Sequence, residues 1–360
     1  MGKTVLILAN KDGGLFVFRR ELLQKLIADG HRVIAAVPAG ERTADLQALG
    51  CECLDVKLSR RGTNPIEDFK LLQQYKRIIR REAPDIVFTY TIKPNIYGGL
   101  ACQALKVPYV VNVTGLGSAV ENPGLLQKLT VLLYKWGIKK AKKVFFQNGA
   151  NQQFMVSHRM VNGRYDLLPG SGVNLSRYIA EPYPETDTVD FVFVARVMRE
   201  KGIDQYLEAA KYIREKYPFT RFHICGACQE EYKEQLENLQ QQEVIIYHGL
   251  VRDMPAMYRQ THCTVHPSFY PEGMSNVLLE SCATARPVIT TDRAGCREAV
   301  DDGVNGFLVK QRDAEDLIQK IERFLALSHQ EKEQMGLAGR AKMEREFDRQ
   351  IVVNKYLEEL

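Results

Sequence analysis

The sequence predicts an α/β protein of two doubly wound domains, and two observations lead to this fold class. Short apolar runs rich in Val, Ile and aromatic residues alternate with longer segments of helical periodicity, over residues 5–146 and again over 191–290. This alternation is typical of βαβ units and parallel sheets. Between the two series, residues 178–190 are polar and contain Pro182 and Pro184. A chain of 360 residues is long enough for two domains.

Each half contributes five predicted strands. The first series is 5–9, 33–37, 85–90, 109–113 and 143–146, with helices over 15–29 and 65–82, and the second is 191–195, 222–225, 244–247, 264–266 and 287–290. We place an N-terminal domain at 1–175, a linker at 175–188, a C-terminal domain at 188–343 and a last segment at 344–360. Ligands of such sheets bind beyond the carboxyl ends of the strands. That rule selects the loops 10–14, 112–117, 196–202, 249–253 and 269–276, which would line one cleft if the domains face each other.

Amino-acid composition and charge indicate where the protein is located and which kinds of partner it binds. No stretch approaches the ~20 apolar residues that span a bilayer, and the first apolar run is too short for a signal peptide, so we expect a cytoplasmic protein. Cys225 and Cys228 lack a second pair or spaced histidines, so no metal site is predicted. The chain carries 25 Lys and Arg against 13 Asp and Glu through Val173, and 24 against 31 after it. The basic half predicts an anionic partner, such as a membrane surface or a phosphorylated acceptor, but no nucleic-acid recognition motif accompanies it.

The first candidate site follows the predicted strand 191–195. Its loop carries Arg196 and Lys201, and Gly202 opens the next helix. Two cations and a helix N-terminus would each favour a pyrophosphate at this position. A solvated basic loop is the alternative, and the segment alone does not decide between the two interpretations.

The second candidate site runs from Glu272 to Glu280. Glu272 lies in a loop after a strand, Glu280 lies in the following helix, and Gly273 lets the backbone approach a ligand closely. The amides that point outward at the helix start belong to Met274, Ser275 and Asn276. Two carboxylates in this context could hold sugar and ribose hydroxyls, although their spacing recurs elsewhere in the chain.

These two segments are followed by Asp-Gly-Val-Asn-Gly-Phe-Leu-Val at residues 302–309, and in this order they resemble the family 4 glycosyltransferases. The resemblance covers nearly the whole chain and includes the Gly13-Gly14 turn and residues 18–22 and 30–33. It implies the GT-B fold, in which two Rossmann-like domains face each other across a cleft. It also implies that the last helix, here within 344–360, returns to the N-terminal domain.

The resemblance implies a retaining glycosyltransferase that uses a nucleotide-sugar donor, with no cofactor, no metal ion and no protein nucleophile. Arg196 and Lys201 would neutralise the donor diphosphate and the departing nucleotide, Glu272 would contact the transferred sugar, and Glu280 the ribose. The other implied donor-binding positions act through backbone amides and are Gly13, Gly14, Met274, Ser275 and Asn276. Many relatives have a histidine in the loop that occupies residues 112–118 here, where this chain has none. The catalytic base therefore stays unassigned.

Residues 59–65, 114–118 and 170–174 are similar to bacterial enzymes that extend polyprenyl-diphosphate-linked glycans, commonly with an N-acetylhexosamine from its UDP form. This similarity implies a UDP-sugar donor and a lipid-linked glycan acceptor in surface polysaccharide or glycoconjugate synthesis. The candidates for acceptor binding are Arg19, Arg60, Lys93 and Thr114. The three basic residues among them could equally be structural ion-pair partners.

Residues 124–146 form a basic amphipathic segment. Six lysines lie beside five leucines and Trp136, a composition that suits a helix lying on an anionic membrane surface. In the alternative interpretation the leucines face the domain core. The lysine density favours peripheral contact with the inner face of the cell membrane.

Other functions remain open at this point. A nucleotide-sugar epimerase of the same fold and a transferase acting on a soluble small molecule are the alternatives. A dinucleotide-dependent oxidoreductase is disfavoured because residues 10–14 lack a G-x-G-x-x-G turn. A non-catalytic sugar-binding subunit would be expected to have lost Arg196, Lys201, Glu272 or Glu280, and all four are present.

Overall fold

The computed structural model describes residues 2–59, 64–116, 124–161 and 163–360. The contacts divide the chain into two compact units. Unit 1 comprises Met1–Ser171, Pro271–Met274 and Arg349–Leu360, and unit 2 comprises Gly172–Tyr270 and Ser275–Asp348. Each unit contains one parallel sheet, so the predicted α/β class with two doubly wound sheets is confirmed.

Unit 1 contains a seven-stranded parallel sheet in the order β3-β2-β1-β4-β5-β6-β7. Its strands are β1 Thr4–Leu8, β2 Arg32–Val37, β3 Glu52–Asp55, β4 Ile86–Tyr90, β5 Tyr109–Val113, β6 Lys143–Phe146 and β7 Tyr165–Leu167. Its helices are α1 Asp12–Ala28, α2 Thr43–Ala48, α3 Pro65–Glu82, α4 Gly99–Leu105, α5 Leu125–Ile138 and α6 Gly149–Ser157, with a π-helical turn at Pro94–Gly98 before α4. The strand order reverses between β1 and β4, which is where doubly wound sheets bind ligands.

Both faces of this sheet are covered by helices. Because alternate residues of a strand point to opposite faces, Val5 and Ile7 pack with Leu22 and Leu26 of α1. Leu6 and Leu8 pack on the other face, in the core that contains residues of α3, α4, α5 and α6. The central strands β1, β4 and β5 are therefore buried along nearly their whole length, as expected for a parallel sheet covered on both sides.

Unit 2 contains a six-stranded parallel sheet in the order β10-β9-β8-β11-β12-β13. Its strands are β8 Val189–Val194, β9 Thr220–Cys225, β10 Ile246–Tyr247, β11 Cys263–His266, β12 Val288–Thr291 and β13 Gly306–Val309. Its helices are α7 Ile203–Lys216, α8 Lys233–Gln241, α9 Met254–Gln260, α10 Asn276–Ala283, α11 Ala314–Leu325 and α12 His329–Lys342. The direction of the strand order changes between β8 and β11, so the loops after these two strands lie at the switch point.

The last helix, α13 Arg349–Leu357, belongs to unit 1. The ring of Tyr356 packs against Phe88 and Phe145 of the sheet, with centroids 5.4 and 5.2 Å away. Its hydroxyl donates to Oδ1 of Asn112. Arg349 begins the helix with an ion pair to Glu21 of α1 at 2.8 Å. A helix that follows unit 2 in the sequence is thus a structural part of unit 1.

Residues 175–188, the predicted linker, contain no helix or strand in the structure. They are held against unit 2 by Arg286, which is fully buried. Its guanidinium donates to the carbonyl oxygens of Glu181 at 3.0 Å and Pro182 at 2.7 Å. Within the described residues, no helix has the length and apolar character needed to cross a membrane.

Candidate functional site

The loop after β8 places both predicted cations against one aromatic ring. The Arg196 guanidinium carbon lies 5.9 Å, and the Lys201 ammonium 4.9 Å, from the ring centroid of Tyr270. Lys201 ends a short 3₁₀ turn, Arg199–Lys201, that leads into α7. Both distances lie within the range in which a ring face attracts a cation, so Tyr270 holds two like charges close together.

The chain after β11 fixes this turn in place. Gly202 has a left-handed φ of 79°, and a Cβ at this position would overlap the carbonyl oxygen of Pro267. The Phe269 amide also donates to the Glu200 carbonyl at 2.9 Å. Only glycine allows both the conformation and the close approach, which explains why Gly202 follows Lys201.

The charge state of Lys201 is perturbed by its surroundings. Burial lowers the pKa of Lys201 to about 8, and Arg196 acts in the same direction while Cys296 opposes it. Burial and a neighbouring cation both disfavour the charged ammonium. An anion bound here would reverse that cost, which is the electrostatic property that a diphosphate site needs.

The start of α10 lies in the same unit. Ser275 occupies the N-cap position, is buried, and donates its amide proton to the Gly295 carbonyl at 2.7 Å. Its hydroxyl oxygen lies 3.2 Å from Nε2 of His266, the last residue of β11, and makes no capping bond to α10.

Asn276 is the first residue of α10, and Glu280 lies half-buried one turn later. Burial raises the pKa of the Tyr258 phenol, and the nearby Glu280 carboxylate adds to this effect.

The predicted residues Glu272 and Met274 belong to unit 1, because residues 271–274 pack on that unit. The side-chain amide of Asn148 donates to the carbonyl oxygens of Glu272 at 3.0 Å and Gly273 at 2.6 Å. A Cβ on Gly273 would overlap Gln147 and would come within 2.6 Å of the Thr114 carbonyl. The Met274 side chain is buried and would be struck by a Cβ at Gly170. Thr114, an acceptor candidate, therefore lies beside the segment that carries Glu272.

The Gly13-Gly14 pair forms the first turn of α1. The Gly13 amide donates to Oδ1 of Asp12 at 2.6 Å, so this amide is already hydrogen-bonded. Asp12 is buried and also accepts from the Arg42 amide at 2.8 Å. Space remains open around Gly14, where a Cβ would meet nothing within 4 Å.

The other acceptor candidates differ in their surroundings. Arg19 is buried in unit 1, 5.0 Å from the ring centroid of Tyr90 and 5.7 Å from that of Tyr356. Lys93 forms a half-buried ion pair with Asp68 at 2.6 Å. A structural ion pair of this kind is the alternative to acceptor binding that the sequence left open for Lys93. Arg60 lies outside the described residues.

Titratable residues do not form a metal centre in the described part of the chain, where no group of three or more His, Cys, Asp and Glu has suitable geometry. The charged groups that converge are the cations Arg196 and Lys201. Their chemistry suits an anionic ligand.

The chain matches two known families over its two halves. Residues 4–148 match the family Glycosyl transferase 4-like, and residues 178–342 match Glycosyl transferases group 1. The second match spans Arg196, Lys201, Glu272 and Glu280. The protein is a glycosyltransferase.

Two curated relatives of this glycosyltransferase act on lipid-linked substrates according to their names. The N,N'-diacetylbacillosaminyl-diphospho-undecaprenol α-1,3-N-acetylgalactosaminyltransferase of Campylobacter jejuni is 26% identical over 97% of this chain and 96% of its own length. The UDP-Gal:α-D-GlcNAc-diphosphoundecaprenol α-1,3-galactosyltransferase of Escherichia coli is 27% identical over 73% of this chain and 72% of its own length.

A solved structure shares the fold of this glycosyltransferase. Anabaena HepE in complex with UDP and glucose superposes with a TM-score of 0.80 at 17% identity, over 99% of this chain and 98% of the other. The two parallel-sheet units and this likeness identify the fold as GT-B, as the sequence predicts.

Sequence reasoning did not single out several residues that contact the predicted site residues within unit 1 or within unit 2. They are Gln147, Asn148, His266 and Tyr270. A signal for them existed, because Gln147 and Asn148 directly follow a predicted strand and His266 ends another. The rule that selected strand-end loops already included Tyr270 within 269–276, and it would have included the other three if it had been applied to β6 and to the last residue of β11.

Proposed function

We propose that this glycosyltransferase moves an N-acetylhexosamine from its UDP form to a polyprenyl-diphosphate-linked glycan, with retention of anomeric configuration. The observation that carries the proposal is the convergence of Arg196 and Lys201 on Tyr270 at the switch point of unit 2. The reaction would serve the synthesis of a bacterial surface polysaccharide or glycoconjugate.

The chemistry of the leaving group supports this assignment. When the bond between the sugar and the nucleoside diphosphate breaks, negative charge grows on the departing phosphate. Arg196 and Lys201 are fixed cations that stabilise this charge without a metal ion, and preorganised groups of this kind lower a barrier because they need no rearrangement. We propose that the reaction is metal-independent for this reason.

Two carboxylates have proposed roles in donor binding. Glu280, on α10 of unit 2, would hold ribose hydroxyls, and Glu272 would contact the transferred sugar. Support for the second role comes from the anchoring of residues 272 and 273, whose carbonyls accept from Asn148. A residue that positions a sugar needs such a fixed backbone.

The proposed donor and acceptor draw support from the relatives. The names of the Campylobacter and Escherichia proteins both specify an undecaprenyl-diphosphate-linked acceptor, and the second specifies a UDP-sugar. The first names an N-acetylhexosamine as the transferred group. A lipid diphosphate carrying a glycan is also an anionic substrate, which suits the excess of basic residues in the first half of the chain.

We propose that α5 brings the protein to the membrane that carries such an acceptor. Leu125, Leu129, Leu132 and Trp136 are spaced along one face of this helix, and 86%, 53%, 41% and 53% of their surfaces are exposed. Tyr134 and Ile138 face the core instead. Lys128, Lys139 and Lys140 are exposed on or next to the same helix. Apolar side chains flanked by lysines suit the surface of an anionic bilayer.

Nucleotide release tests the proposed function. Purified protein is given UDP-, GDP- and ADP-sugars with EDTA present, with and without a membrane extract containing polyprenyl-linked glycans. We expect UDP release from a UDP-N-acetylhexosamine only when the lipid extract is present. Conversion of a UDP-sugar to its epimer without acceptor would contradict the proposal, as would transfer that requires a soluble acceptor or a metal ion.

A comparison of two lysine variants tests whether the activity depends on Lys201. Lys201→Ala should lower kcat/KM by about 100-fold or more, because removing one such charge-stabilising group typically costs about 3–4 kcal/mol. Lys211→Ala, on the exposed surface of α7 in the same unit, is the matched control and should keep the wild-type rate. Equal activity in the two variants would remove Lys201 from the site.

A further inference from the structure

His266 is a buried histidine at the end of β11 with no part in the proposed chemistry. Only 1% of its surface is exposed. Its carbonyl accepts a hydrogen bond from the Thr290 hydroxyl at 2.7 Å, which fixes the backbone. Its ring contacts the hydroxyl of Ser275 through Nε2.

Ser275 is placed to cap α10 but does not do so. Its backbone is extended, with φ −80° and ψ 102°, as in capping serines. Ser328 shows the usual behaviour, because its hydroxyl accepts from the Glu331 amide at 3.2 Å at the start of α12. The Ser275 hydroxyl bonds His266 instead. Within the described residues, the amides of Asn276, Val277 and Leu278 make no hydrogen bond, and a capping serine would accept from one of the last two.

The ring of His266 is neutral and its tautomer can be assigned. Burial, with a smaller contribution from the Lys201 cation, lowers the pKa of His266 to about 3. Nδ1 is buried and has no partner among the described groups. Since a buried N–H without an acceptor is rarer than a lone pair without a donor, we place the proton on Nε2. The imidazole then donates to the Ser275 oxygen, and this bond holds the hydroxyl in an orientation in which it makes no capping bond to α10.

We infer that His266 is a positioning residue that withholds the Ser275 hydroxyl from the start of α10 and so leaves the first amides of that helix to the diphosphate of the sugar nucleotide. The inference rests on the proposed function, because it concerns the same donor site. It explains why a strong capping residue stands at Ser275 without capping. The inference also relates the Lys201 cation to the start of α10. His266 lies near Lys201, and its ring is hydrogen-bonded to Ser275, the residue before the helix.

The test is a double-mutant cycle with UDP binding as the readout. In His266→Leu the serine hydroxyl is released and caps α10, so UDP has to displace it. A cap contributes about 1 kcal/mol, which corresponds to roughly fivefold weaker binding. In a Ser275→Ala background, His266→Leu should have no further effect on the dissociation constant. A purely structural role for His266 predicts the opposite, namely an equal loss in both backgrounds.

A second pair of variants at position 266 keeps the inference testable if His266→Leu fails to fold. Gln at position 266 carries an amide donor that reaches about as far as Nε2, whereas Asn carries one near the position of Nδ1. His266→Gln should bind UDP within about twofold of wild type, since the donor to Ser275 is kept, and His266→Asn should bind as weakly as His266→Leu. Equal binding by the Gln and Asn variants would overturn the inference.

The outcomes for the inference and for the proposed function are distinguishable. Calorimetry of the wild type with UDP, GDP and ADP comes first, and no binding of any nucleoside diphosphate would remove the proposed function itself. Tight binding of UDP that is unchanged in His266→Leu would leave the proposed function in place and remove only the role of His266. Circular dichroism and thermal unfolding of each variant establish that the compared proteins are folded.

Discussion

Lys201 shows how a single side chain acquires the properties of an anion site. Its ammonium lies over the Tyr270 ring while the neighbouring Arg196 carries the same charge. Burial is the main cause of its lowered pKa, so the charged form is held at an energetic cost in the absence of an anion. A diphosphate bound here would offset that cost. A site of this kind would favour anions, because Lys201 is half-buried and the neighbouring Arg196, which is exposed, carries the same charge.

The pH dependence of donor use follows from this residue. Since the pKa of Lys201 is about 8 in the free protein, kcat/KM for the donor should be constant below neutrality and fall above about pH 8, approaching tenfold per pH unit. Lys201→Arg should have a lower plateau but no decline up to about pH 10, because a guanidinium stays protonated there. Steady-state rates at limiting donor concentration measure this. A decline near pH 8 in Lys201→Arg as well would assign the titration to another group.

Among the elements of unit 1, the central strands follow from the sequence and the edge strands β3 and β7 do not. β6 runs Lys143–Phe146 as predicted, because Val144, Phe145 and Phe146 are apolar and buried. β3 and β7 were not predicted, since the half-exposed residues of short edge strands give no continuous apolar run. The segment carrying Glu272 was correctly expected in a loop. Its packing on Asn148, 124 residues earlier, depends on contacts far apart in the chain, which local patterns do not encode.

Asn148 has two roles, anchoring residues 271–274 and capping α6, and substitutions can test the two roles separately. The Asn148 side chain caps α6 through Oδ1, which accepts from the Asn151 amide at 2.8 Å, and it binds the Glu272 and Gly273 carbonyls through Nδ2. Asn148→Ser keeps a capping oxygen and loses the amide donors without placing a buried charge beside the two carbonyls, whereas Asn148→Ala loses both. We expect both variants to lose most transfer activity, and Asn148→Ala to be about 1 kcal/mol less stable than Asn148→Ser in urea unfolding, because only Ala loses the cap. Full activity of Asn148→Ser would show that this anchoring is dispensable.

The two interpretations of the basic amphipathic segment make different predictions for α5. Its exposed apolar face favours a membrane contact, so replacing Leu129 and Trp136 with Glu should weaken binding to vesicles containing phosphatidylglycerol by about tenfold or more. Thermal stability should change little, because both side chains already face solvent. Leu337→Glu on α12, where 43% of the residue is exposed, is the matched control and should bind like wild type. If the variant with Glu at positions 129 and 136 and the Leu337→Glu control bound vesicles equally in flotation, α5 would be excluded as the membrane contact.

At the scale of the whole molecule, the two units differ in their buried histidines. Unit 2 buries His262 and His266, whereas the described histidines of unit 1, His31 and His158, are half-buried and exposed. Burial lowers the pKa of His262 to about 4, against a smaller opposite effect of Asp190, and that of His266 to about 3. Both rings are therefore neutral when unit 2 is folded at neutral pH, and both bind protons more readily when it is unfolded.

This difference predicts that acid destabilises unit 2 first. A group whose folded-state pKa is depressed stabilises the fold fully above its unfolded pKa, here about 6.5, and loses that contribution as the pH falls toward the folded value. At pH 5 each histidine should cost unit 2 about 2 kcal/mol of its free energy of unfolding. Hydrogen exchange read by mass spectrometry at pH 7 and 5, corrected for the intrinsic rates, measures the two units separately. Protection should fall more in the strands of unit 2 than in those of unit 1, and His266→Gln should reduce the difference, since glutamine does not titrate. Equal loss of protection in the two units would show that the buried histidines do not control acid stability.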